Sequence, residues 1–287
     1  MNRIVLIVVF LVSHLFALNY TITKQVPCGK TAVLSIKKEQ GLVVENVVFH
    51  KKIFPFFQTI SKKNIYAFIP VSYYEKPGRK RLVLHYTYKG KEKTKELYCR
   101  VISGDYAKES IHVSASKVHP TDKKVKQRVA KEYKEAMRIY HSVSSKLYIK
   151  KPFRLPLEST ITSTFGKARV YNGTLKGYHS GTDFRAKVGT PIVASNDGRV
   201  VLVKKRFYSG GTIIIDHGKG IYTCYFHLSN FLVDKGDRVY KNEVIGLSGK
   251  SGRVTGPHLH FSARVDGVQV DPLQLIHVMN NTLLKED

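Results

Sequence analysis

The 287-residue sequence predicts a mainly-β chain: a small N-terminal β domain, a connecting α-helix and an all-β C-terminal domain. Three observations carry this. Short apolar runs separated by Gly, Pro-Gly and Asp-Gly turn signals fill two long stretches, the pattern of short strands joined by tight turns. Only one internal stretch shows apolar residues at steps of three and four, the helical repeat. Breakers at Lys150-Lys151-Pro152 and Pro156 then separate that stretch from the residues after it. The length suffices for two ordinary domains, each burying its own core.

Taken in order, residues 1–17 have the layout of a secretory signal peptide, with Arg3, the apolar run Ile4 to Leu11 and small Ala17. An uncleaved membrane anchor is the weaker reading, because the run falls short of the ~20 residues a spanning helix needs. The mature chain is therefore expected to be exported and periplasmic. Residues 18–105 form the N-terminal β domain, with strands expected at Ala32–Ile36, Val43–Phe49, Ile65–Val71, Leu82–Tyr88 and Leu97–Val101. Their number and spacing suggest an immunoglobulin-like sandwich. Lys89-Gly90-Lys91 is sized for a hairpin turn.

Residues 106–153 are expected to be a helical linker, a spacer between domains. Val125, Val129, Tyr133, Ala136, Tyr140 and Val143 make its apolar stripe, and Thr121 or Asp122 after Pro120 its start. Residues 154–273 read as all-β, with strands at Thr190–Ala194, Gly198–Val203, Thr212–Ile215, Ile221–Phe226, Arg238–Gly246 and Leu259–Val265. Residues 274–287 are expected to be a C-terminal tail, a short amphipathic helix or frayed chain.

The formal net charge is +27, with 30 basic against 10 acidic residues in 1–152 and 18 against 11 beyond. Such an excess is the electrostatic footprint of nucleic-acid binding. In an exported chain it suits an anionic envelope surface better, and no nucleic acid is expected as a partner. Three cysteines make no disulfide framework, although Cys28 and Cys99 fall in one domain and could pair. Cys224 sits in an apolar strand and reads as a buried thiol.

Chemistry concentrates in the C-terminal domain. His258 and His260 alternate on one expected strand and so share a face. His179 and Asp183 stand four residues apart around a flexible Ser180-Gly181. These two with one histidine of the pair make a His₂Asp set, three ligands with an open position, the count of a catalytic zinc site. His227 ends another strand, which leaves two histidines for proton handling. His50, His85, His217 and His277 lack such complements and read as structural.

His179-x-x-x-Asp183, Tyr225-x-His227-Leu228-Ser229 and Thr255-Gly256-Pro257-His258-Leu259-His260-Phe261, in this order and with the glycine punctuation between them, resemble the M23 (LytM or lysostaphin-type) zinc metallopeptidases. The resemblance spans roughly Leu155 to Pro272 and implies a compact antiparallel β fold and peptidoglycan endopeptidase activity. It implies Zn²⁺ on His179, Asp183 and His260, with His258 as general base and His227 as its partner across the attacking water. The implied substrates are peptidoglycan stem peptides, cut in remodelling of the cell wall by a D,D-endopeptidase that could also act as a D,D-carboxypeptidase. Lys204, Lys205, Arg206 and Arg253 fall in expected loops that could meet stem-peptide carboxylates, although each alone is ordinarily solvated charge. The alternative is a non-catalytic scaffold of the same fold that activates another wall hydrolase. Whether residues before Leu155 cover the groove, with a regulatory protein partner moving them, stays open. Biotinyl and lipoyl carriers share some glycine punctuation, but no modifiable lysine stands at a hairpin tip.

Overall fold

The computed structural model describes residues 17–58, 63–113, 115–118, 120–173 and 175–283. The expected signal peptide, save Ala17, lies outside the described residues. Alternation of apolar and polar residues along Thr31–Lys37, Gly78–Tyr88 and Lys91–Ile102 buries one face of each strand, so two sheets close on one core. One sheet runs Tyr20–Ile22, Thr31–Lys37, Asn64–Pro70, Phe57–Gln58. The other runs Gln25–Pro27, Lys91–Ile102, Gly78–Tyr88, Leu42–Phe49, Lys52–Phe54. Leu34, Ile36, Leu82, Leu84 and Val101 are fully buried between them. The hairpin turn is Lys89-Gly90, with both φ values positive (48° and 76°), the two-residue loop whose twist matches the flanking strands. Cys28 and Cys99 are buried free thiols.

The helix Lys123–Tyr140 begins where Asp122 accepts hydrogen bonds from the amides of Lys124 and Val125. It is not a spacer between domains. Ala136 and Tyr140 pack onto Leu202, Ile214, Tyr222 and Cys224 of the C-terminal sheet. The Glu132 carboxylate, also buried, accepts from Phe207 N at 2.9 Å and from Arg128 Nε at 2.8 Å. Tyr133 of the expected stripe is 63% exposed. Upstream, Lys108–Ile111 is a strand that pairs in parallel with Ala168–Tyr171, which pairs in turn with Leu175–Tyr178.

The C-terminal sheet has eight strands, in the order Ile161–Ser163, Thr182–Arg185, His258–Val265, Ile221–Leu228, Gly210–Gly218, Gly198–Arg206, Arg238–Val239, with Val268–Val270 also on His258–Val265. The expected strand Arg238–Gly246 is two, Arg238–Val239 and Val244–Leu247, split at Asn242 with φ 76°. Phe184, Ile213, Ile215, Tyr225 and Phe261 fill the core between this sheet and a smaller one of Pro191–Val193, Val244–Leu247 and Asn230–Phe231.

The C-terminal segment is a helix, Pro272–Thr282, started by Asp271 and a proline in its first turn. Its Leu275, Ile276 and Met279 enter the main core. Its Gln274 side chain exchanges two hydrogen bonds with the Thr31 backbone, joining the two domains. Phe57 and Phe68 of the N-terminal domain enter the same core, and Tyr73 stacks on Tyr178 at 3.9 Å. No helix among the described residues is long and apolar enough to cross a membrane.

Candidate metal centre

Strand register assembles the site. The strand His258–Val265 lies between Thr182–Arg185 and Ile221–Leu228, with Asp183 opposite His260 on one side and Phe226 opposite it on the other. Directly opposed residues have their Cβ atoms about 5 Å apart, so pairing alone brings the Asp183 carboxylate to His260. His258 joins the same face by the two-residue period. A side chain at Gly181 would bring its Cβ within 2.7 Å of His260 Nε2, so glycine is what lets His179 and Asp183 close around that ring. His227 has φ 63°, an uncommon conformation for a residue with a Cβ, and its ring lies 4.8 Å from that of His258.

Three ligand atoms converge. His179 Nε2 is 2.9 Å from Asp183 Oδ1 and 3.0 Å from His260 Nδ1, and His260 Nδ1 is 2.7 Å from Asp183 Oδ1. All three residues are buried, and together they could hold one metal ion. His179 Nδ1 donates to the Thr164 carbonyl at 2.7 Å, which leaves a lone pair on Nε2, the atom aimed at the centre. His258 Nδ1 donates to Gly256 O at 2.9 Å and His227 Nδ1 to Ser251 O at 2.8 Å. A carbonyl can only accept, so both rings keep an Nε2 lone pair. His258 Nε2 lies 3.7 Å from Asp183 Oδ1.

Burial and these contacts set the protonation states. Burial alone would raise the Asp183 carboxyl, but its close contacts with the His179 and His260 rings hold it well below the ordinary carboxylate range. Burial pushes His260 down to about 4, against the pull of Asp183. Burial, then repulsion from His260 and His258, pushes His227 down to about 3. Asp183 is thus ionised and His260 neutral near pH 7, the state in which such side chains bind a metal ion.

Two site residues carry no signal in the sequence motifs. Arg169 donates from its terminal nitrogen to Asp183 Oδ2 at 3.2 Å, so that Oδ1 is left for the centre, and from Nε to Glu109 Oε2 at 2.9 Å. Glu109 lies on the strand Lys108–Ile111. The Asp183 carboxylate is thereby oriented, through Glu109, from outside the C-terminal domain, in the way outer partners orient metal ligands generally. The centre opens on a cleft whose walls include Tyr133, Met137 and Tyr140 of the long helix, with Arg169, Arg253 and Tyr208. Lys204, Lys205 and Arg206 lie on the strand Gly198–Arg206, not in a loop.

His217 stays apart from this group. It is fully buried, donates from Nδ1 to Asp197 O and meets Thr223 Oγ1 with Nε2, each at 2.7 Å. Burial pushes it down to about 4. A histidine whose folded pKa lies below its unfolded value leaves the unfolded chain binding the extra proton, so stability rises with pH. The His217 contribution is complete above about pH 6.5 and lost as pH falls toward 4, about 3 kcal/mol in all. His227 and His260 add slopes of the same sign. Urea unfolding across that window should therefore give a shallower pH dependence for His217→Asn than for the wild type; equal slopes would contradict the assignment.

Three side chains that could hold a metal ion, gathered by an antiparallel sheet and flanked by the His227 and His258 imidazoles, have the composition of a metallohydrolase type of centre. Residues 177–272, which contain all five groups, match Peptidase family M23. The peptidoglycan DD-endopeptidase ShyA of Vibrio cholerae serotype O1 is 40% identical over 137 residues, which are 47% of this chain and 32% of that one. The DD-carboxypeptidase/endopeptidase Mpg of Neisseria meningitidis serogroup B is 42% identical over 97 residues, 34% of this chain and 22% of that one. The chain thus spans a third or less of the length of these relatives. The crystal structure of a putative peptidase M23 from Pseudomonas aeruginosa shares the fold over 87% of this chain and 94% of its own, with TM-score 0.67 and 24% identity.

Proposed function

We propose that the chain is an exported, zinc-dependent peptidoglycan hydrolase that cleaves D,D-linked stem peptides, as a crosslink endopeptidase and as a carboxypeptidase on the same stems. The observation that carries this is the convergence of His179 Nε2, Asp183 Oδ1 and His260 Nδ1 beside His227 and His258 at one cleft. The donor set of two neutral imidazoles and one carboxylate fits Zn²⁺, and these three side chains would hold it. A bound zinc ion supplies Lewis acidity toward water and the scissile carbonyl.

The chain's own residues divide the remaining work. His258, with its Nε2 lone pair and partial exposure, takes the proton of the attacking water and passes it to the leaving nitrogen. His227 is pushed too low to hold a proton near neutral pH, so its Nε2 accepts a hydrogen bond from that water and orients it. The cleft walls position the peptide. The named activities of the Vibrio and Neisseria relatives support the D,D-bond reading. The complete ligand set disfavours a non-catalytic scaffold. The layout of residues 1–17 supports export to the periplasm, and the basic balance of residues 1–152 supports contact with an anionic envelope surface. The long helix in the cleft wall offers a regulatory protein partner a place to act.

Purified sacculi digested with the protein, with separation of the released muropeptides, test this. Loss of crosslinked dimers, blocked by a chelator and restored by Zn²⁺, is expected. Crosslinks that survive undiminished would overturn it.

A further inference from the structure

Four arginines line the cleft, and three of them are committed within the protein. Arg169 is held by Glu109 and Asp183. Arg206 donates to the Glu132 carbonyl at 2.7 Å. Arg264 donates to Gly267 O and Gln269 Oε1 and lies over the Tyr140 ring. Arg253 differs, because its guanidinium meets two aromatic rings and no hydrogen-bond acceptor or carboxylate among the described residues. Its guanidinium carbon sits 4.4 Å from the Tyr171 ring centre and 4.5 Å from that of Tyr208.

The loop holding Arg253 is fixed to the catalytic cluster. Ser251 O accepts the His227 Nδ1 proton at 2.8 Å, and Ser251 Oγ accepts from Gly211 N and donates to Leu228 O, both at 2.9 Å. The Arg253 amide donates to Tyr208 O at 2.8 Å. At Gly252, with φ 86°, a Cβ would overlap the Tyr208 carbonyl, so the chain can pass there only as glycine. Contact with the two rings and a tethered backbone restrict the guanidinium before any ligand arrives, which lowers the ordering cost of binding. A planar fork of N–H donors matches a carboxylate better than any other peptide group.

In a D,D-linked peptide the carbon attached to the scissile nitrogen carries a free carboxylate. This holds for a terminal D-amino acid and for the D-centre of a diamino-acid crosslink alike, whereas within a glycine bridge the same position carries another amide. We propose that Arg253 is a specificity-determining residue that binds this carboxylate, and so selects D,D-bonds over neutral bridges. The inference rests on the peptidase reading of the site.

The test uses the zinc-loaded full chain and one crosslinked muropeptide in two forms, with that carboxyl either free or converted to a carboxamide. Removing a charge-assisted hydrogen bond changes kcat/KM by about 10- to 100-fold, so the wild type should prefer the free acid by about that factor. Arg253→Gln should lose the preference by falling much further on the acid than on the amide, and Arg253→Lys should recover part of it. Equal turnover of both forms by the wild type, or an equal fall on both in Arg253→Gln, overturns the inference and leaves the peptidase reading intact. If the wild type cleaves neither form, the peptidase reading itself fails and the inference falls with it.

Discussion

Asp183→Asn is expected to remove zinc binding and to lower muropeptide cleavage by at least about three orders of magnitude, more than the ~10–100-fold that loss of an outer partner costs a metal site. Asp183 Oδ1 is the point where His179 and His260 meet, at 2.9 and 2.7 Å, and Oδ2 receives Arg169. Asparagine keeps the shape but removes the negative charge. The carboxamide also offers one acceptor oxygen where the carboxylate offers two, so it cannot serve both the centre and Arg169. Arg169, nearly buried, would keep only Glu109 as a counter-charge. Zinc content after dialysis, and competition with a chromophoric chelator, measure the effect apart from turnover. A variant that retains stoichiometric zinc would remove Asp183 from the ligand set.

The shared face of His258 and His260 is legible in the sequence for a simple reason: side-chain alternation reads directly and needs no tertiary information, although it does not say which of the two faces a metal ion. Register is different. That Asp183 stands opposite His260 depends on which strands pair, and no local pattern states it. Arg169 and Glu109 are hidden on the same ground. Lys108–Ile111 reads Lys-Glu-Ser-Ile, too polar and short to show strand alternation, and it becomes a strand only by pairing with Ala168–Tyr171. The run Arg169-Val170-Tyr171-Asn172-Gly173, β-prone residues before a turn signal, is the one local hint of a hairpin there. In the long helix the buried positions are Glu132, Ala136 and Tyr140, and hydropathy assigns a glutamate to solvent. Its burial depends on the Phe207 amide, a partner that lies beyond any helical periodicity, as well as on Arg128 one turn earlier in the helix.

His227→Asn should lower kcat by about 10²- to 10⁴-fold, the usual range for a group acting on a transferring proton, while zinc content stays at the wild-type level. The choice of asparagine matters. His227 has φ 63°, and asparagine tolerates that region better than alanine, so the variant reads the loss of the imidazole and not added backbone strain. The His227 side chain supplies no atom to the His179, Asp183 and His260 group and meets it only edge-on, its ring centre lying 6.0 Å from that of His260, so the three atoms keep their mutual spacing. A fall in kcat at unchanged zinc would separate water positioning from metal binding, which Asp183→Asn cannot do. Unchanged kcat, or zinc lost in step with activity, would instead move His227 out of the proton-handling pair and leave His258 to act alone.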